Sequence, residues 1–153
     1  MNKNLLSDLL IDIMKDNDEI GILRYAQLFL NDGANINPES GNKHATALLS
    51  AVNRNHISVA KFLIEHGAFL DNICNPYTYD TLLMIAVRNK SIDLVKLLVE
   101  KGININAESL RETATSIAIS ENFTEIAEFL ISHGGKANNE DDSDTTTTFF
   151  VSY

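Results

Sequence analysis

The chain has 153 residues, 44% of them hydrophobic, and a formal net charge of −9. That length suffices for one domain burying roughly 68–70% of its unfolded surface, and no apolar run approaches the ~18 residues of a membrane span. The acidic balance excludes nucleic acid and anionic membranes as favoured partners, and a single cysteine, Cys74, excludes an internal disulfide and fits a reducing compartment.

The N-terminal "MNKNLLSDLLIDIMKDND" reads as an amphipathic helix rather than a signal peptide, because acids interrupt its apolar stretch and no A-x-A site follows. A long turn, "KDNDEI", leads to a second helix in "GILRYAQLFLND". From there the chain repeats. Gly33, Gly67, Gly102 and Gly134 are spaced 34, 35 and 32 residues apart. A helical run precedes each glycine: "YAQLFLND", "VAKFLIEH", "LVKLLVEK" and "IAEFLISH". Apolar residues recur there at i, i+3 and i+4, as in Leu94, Leu97 and Leu98. Glycine just past a helix end is the usual left-handed stop.

After each of the first three glycines comes a stretch of variable length, then a second apolar run: "TALLSAV", "TLLMIAV" and "TATSIAI". Thr46, Thr81 and Thr113 stand where helix N-caps belong. Ala51, Ala86 and Ala118 share one position, where a small side chain lets two helices approach closely. Each unit therefore reads as short helix, tight turn, second helix, glycine stop and extended loop.

These landmarks resemble the ankyrin repeat. The family's "TPLHLAA" helix, "VVKLLL" helix and "GADVNA" loop correspond to "TLLMIAVRNKS" and "LVKLLVEKGININA" here, and the likeness spans about residues 5 to 139. It implies an all-α solenoid of stacked helix-turn-helix units with extended or β-hairpin loops. Four units are expected, at about 5–32, 33–66, 67–101 and 102–133, the first degenerate as terminal repeats usually are. The family's Pro-Leu-His signature is missing, only His56 keeps the turn histidine, and Asn55, Lys90 and Asn122 replace the turn glycine. A stack less stable than one of consensus repeats is expected. Residues 140–153 form an acidic, then Thr/Phe-rich tail, read either as disordered or as a cap or added strand.

No reaction chemistry is legible. His44, His56, His66 and His133 come from separate loops and turns without metal-ligand spacing, although His66 and His133 end helices where a cation suits the dipole. Cys74 has no base near it in sequence, and no phosphate-cradling glycine loop exists. The Asn122 "NFT" acceptor falls at a turn and is read as chance. No enzyme activity, cofactor or metal is expected; an enzyme assembled from Asp80, His44 or Cys74 is the weaker rival.

The resemblance implies instead a concave binding face made of loop tips and the exposed ends of the first helices. It maps onto Lys43 and His44, then Asn75, Tyr77, Tyr79 and Asp80, then Arg111 and Glu112. Arg54 and Arg88 come from the helix ends. Tyr77 and Tyr79 are favoured, since tyrosine and arginine dominate interface hot spots. The expected role is a monomeric, cytoplasmic protein-binding module acting as an inhibitor, adaptor or immunity protein on a basic partner. An effector delivered into a host cell, and an oligomer exchanging "TTTTFFVSY", are the alternatives.

Overall fold

The computed structural model describes residues 3–37, 46–71 and 74–137. Eight helices are found among them: α1 (Lys3–Ile13), α2 (Glu19–Asn31), α3 (Ala47–Asn53), α4 (Ile57–Glu65), α5 (Leu82–Arg88), α6 (Ile92–Glu100), α7 (Ala114–Ser120) and α8 (Thr124–Ser132). The expected tail at 140–153 lies outside the described residues.

Five helices, α2, α3, α5, α6 and α7, begin where a side chain accepts from an orphan amide, whereas α4 and α8 start at His56 and Phe123 without a side-chain cap. Thr46 Oγ1 accepts from Leu49 N at 3.0 Å, Thr81 Oγ1 from Met84 N at 3.3 Å, and Thr113 Oγ1 from Ser116 N at 3.1 Å. At α7 the cap is reciprocal, with Ser116 Oγ accepting from Thr113 N at 2.9 Å. The turns between paired helices need a left-handed residue. Asn55, Lys90 and Asn122 occupy it, with φ of 58°, 55° and 57°. The four stop glycines take φ near +90°, between 87° and 93°. Beyond Gly67 and Gly102 the chain reverses into the loop, a geometry that costs a side-chain-bearing residue about 1–2 kcal/mol.

The helices stack in one row. α1, α3, α5 and α7 pack each on the next, and so do α2, α4, α6 and α8, while each pair closes on itself. The shared alanines Ala51, Ala86 and Ala118 are fully buried, as are Leu63, Leu98 and Leu130 one layer away. A core spread along a row means each pair depends on its neighbours for burial. No described helix is long and apolar enough to cross a membrane.

Hydrogen bonds between adjoining units fix the spacing. Asn37 clamps the next loop, donating from Nδ2 to Gly67 O at 2.8 Å and accepting at Oδ1 from Phe69 N at 2.9 Å. Asn106 repeats the clamp on Gly134 O at 3.0 Å and Lys136 N at 2.8 Å. Between them Asp71 performs only the accepting half, from Asn104 N at 3.1 Å. A carboxylate has no N–H to donate to a carbonyl. At the first junction, His56 is buried and reaches Asp16 O at 2.9 Å and Glu19 Oε1 at 3.3 Å, tying the second helix pair to the long α1–α2 turn.

Candidate functional site

Two loop tips are described, and both are hairpins closed by a single bridge, Cys74 with Thr81 and Ser109 with Glu112. The first has a four-residue tip. Asn75 N donates to Asp80 O at 2.9 Å and Tyr79 N to Asn75 O at 2.7 Å, while Asn75 Oδ1 accepts from Tyr77 N at 2.9 Å. Tyr79 closes the tip with φ of 60°. The second tip has two residues. Ser109 and Glu112 exchange backbone bonds of 3.0 and 2.8 Å around Leu110 and Arg111, whose φ values are 51° and 65°. Two successive positive φ angles make a type I′ turn, which normally takes Asn-Gly. The glycine-to-threonine spacings of 14 and 11 residues are thus partly absorbed in tip length.

The tips carry the apolar side chains outward. Tyr77 is 90% exposed and Leu110 72%, and Tyr79 is more than half exposed. The polar residues beneath them face each other. Arg88, at the end of α5, donates from Nε to Asp80 Oδ2 at 3.1 Å and from Nη2 to Glu112 Oε2 at 3.0 Å. Asp80 is buried and sits at the base of the first tip, whereas Glu112 sits at the base of the second. One guanidinium therefore spans two loops of adjoining units.

Of the residues picked out in sequence, Tyr77 and Tyr79 project into solvent, and Asn75, Asp80, Arg88 and Glu112 bond one another or their own loops. Arg54, the C-cap of α3, reaches back to Asn17 Oδ1 at 3.4 Å. Arg54, Arg88 and Arg111 do not form one open basic stripe, since Arg54 and Arg88 bond neighbouring units and Arg111 lies within the turn. Lys43 and His44 lie outside the described residues. Cys74 is a free, half-buried thiol at the hairpin base. Among the described residues no cluster of His, Cys, Asp and Glu could hold a metal ion. Leu110, at the tip position that the sequence mapping also gives it, is the second exposed apolar tip, and what sequence reading missed is the Asn37 and Asn106 clamps. A recurring asparagine or aspartate four residues after each stop glycine was the signal for the clamps.

A row of helix pairs bearing hairpin tips along one edge defines a helical-repeat protein. The family model for ankyrin repeats in three copies matches residues 17–109. The chain is similar to an ankyrin repeat protein of fowlpox virus, 31% identical over 121 residues, covering 76% of this chain and 19% of the viral protein. A second fowlpox ankyrin repeat protein is 35% identical over 112 residues, covering 70% of this chain and 33% of its own length. Human ankyrin repeat and SOCS box protein 6 is 28% identical over 143 residues, covering 87% and 34%. The chain thus spans from about a fifth to a third of the length of these relatives. It belongs to the ankyrin repeat family, whose members are generally non-enzymatic protein–protein interaction modules.

Proposed function

We propose that this chain binds a partner protein through the tips of its hairpins and the adjoining helix ends, and acts by occupying that partner, as an inhibitor, adaptor or immunity protein. One observation carries the reading: Tyr77, Tyr79 and Leu110 stand exposed on two neighbouring tips whose bases share Arg88. Exposed aromatic and aliphatic groups on a braced frame bind at low conformational cost, and truncating such an anchor typically costs ~2 kcal/mol or more. Asn75, Asp80, Arg88 and Glu112 serve as supports for that surface, and Lys43, His44, Arg54 and Arg111 extend it. The net charge of −9 favours a basic partner that associates faster at low salt.

The test is capture of partners from the native cell by the tagged chain and by a Tyr77→Ala, Tyr79→Ala, Leu110→Ala variant. A band retained by the parent and lost by the variant, at unchanged melting temperature, supports the reading. Equal recovery by both removes these tips from the interface.

A further inference from the structure

Every amide from Tyr77 to Asp80 is bonded within the first tip. Besides the bonds of Tyr77 N and Tyr79 N to Asn75, Asn75 Oδ1 accepts from Thr78 N at 3.4 Å and Thr78 Oγ1 from Asp80 N at 3.3 Å. A backbone held at each step fixes the direction in which the Tyr77 side chain leaves it, so little main-chain freedom is left to lose on binding. The side chain itself is 90% exposed and stands clear of its own molecule. A flat surface laid against such a ring covers one side of it. Only a concave one encloses it.

The inner helices behind the tips offer a partner less. In α5 every residue from Leu82 to Val87 is buried. The polar groups that follow are engaged, Arg88 with Asp80 and Glu112, and Asn89 Nδ2 with Val52 O at 2.9 Å. In α7, Ser116 is taken up by the reciprocal cap, and Ser120 Oγ donates to Ile117 O at 3.0 Å. A partner lying along these helices competes with bonds the stack already makes. Burying the Tyr77 ring breaks none.

We infer that Tyr77 is an inserted anchor. The partner is a protein with a pocket, apolar along its walls and carrying a hydrogen-bonding group at its end for the phenol hydroxyl. It closes around this one ring while Tyr79 and Leu110 seal the rim. This rests on the tip-binding reading above and narrows it, from a surface that the partner covers to a projection that the partner's cleft receives. A chain acting in this way obstructs the cleft it fills.

The experiment takes the partner recovered by the tagged parent chain, purified, and the full chain carrying 3-fluorotyrosine at its four tyrosines, with the fluorine lines assigned by single Tyr→Phe variants. A soluble paramagnetic agent should relax the Tyr77 fluorine strongly in the free chain and scarcely at all in the complex, while Tyr79 is shielded only in part. By titration calorimetry Tyr77→Ala, at unchanged melting temperature, should weaken binding at least ~30-fold, against no more than ~5-fold for Tyr79→Ala or Leu110→Ala alone. Ser120→Ala should bind like the parent. A Tyr77 fluorine still open to the agent in the complex, or a smaller loss for Tyr77→Ala, overturns the insertion; loss of capture by the triple tip variant would then leave the tip-binding reading standing. Equal capture by the triple variant removes both.

Discussion

Arg88 Nη2 lies 3.0 Å from Glu112 Oε2, so a residue closing one helix reaches the base of the next unit's hairpin while its Nε holds Asp80 of its own unit. Arg88 and Glu112 are both nearly half exposed, and exposed pairs contribute only ~0–1 kcal/mol each. The bridge therefore sets where the tips stand more than how stable the stack is. Arg88→Gln should lower stability by about 1–3 kcal/mol in urea, chiefly because buried Asp80 loses its cation, while a double-mutant cycle with Glu112→Gln should give a coupling of only ~0.2–1 kcal/mol. A coupling indistinguishable from zero would mean that the two loops stand independently.

Asp71 is the odd member of the clamp series. Asp71→Asn supplies the missing Nδ2–H for the Gly102 carbonyl, in the register that Asn37 and Asn106 use. Stability should rise by about 1 kcal/mol, the net worth of one added hydrogen bond. Thermal melting measures it; a fall would show that the aspartate is held by something other than Asn104.

The Leu110–Arg111 turn stores strain at an exposed tip. Replacing it with Asn-Gly relieves two non-glycine residues of positive φ and should stabilise the chain by about 1 kcal/mol after the added unfolded-state freedom of glycine. The urea midpoint should rise at unchanged slope. Binding of the captured partner should weaken at the same time, because Leu110 is removed.

Thr115 occupies the place of Leu48 and Leu83, and its hydroxyl is buried without a hydrogen-bond partner among the described residues. Thr115→Val should stabilise by about 1 kcal/mol by removing that unmatched group. Gly135→Ala should do the reverse, by ~1–3 kcal/mol, since its methyl would meet Thr115 Oγ1 and, at 2.8 Å, the Leu130 carbonyl oxygen. Thermal melts of the two single variants, moving in opposite directions, are the check.

Leu98, fully buried in the third helix pair, anchors the middle of the row. Leu98→Ala should cost ~2–5 kcal/mol through lost burial and the cavity left behind. Circular dichroism under urea should show both neighbouring pairs loosening with it, as expected of a one-dimensional stack.

The sequence by itself determined the units of this protein. Caps, stop glycines, buried alanines and leucine periodicity are local: Thr81 finds Met84 N three residues on, and Gly102 turns whatever packs beside it. Such features obey spacing rules readable from one strand of text, which is why helix order and repeat length were legible. Tertiary structure alone decided which polar residues face one another. Arg88 and Glu112 are 24 residues apart, and Asn37 and Gly67 are 30 apart. Nothing local distinguishes an arginine that reaches a partner from one that joins two loops. The exposure of Tyr25 and Leu28 was hidden for the same reason: their spacing from Gly33 is that of residues buried or half-buried in the later units, and among the described residues no further helix pair packs on that face of α2.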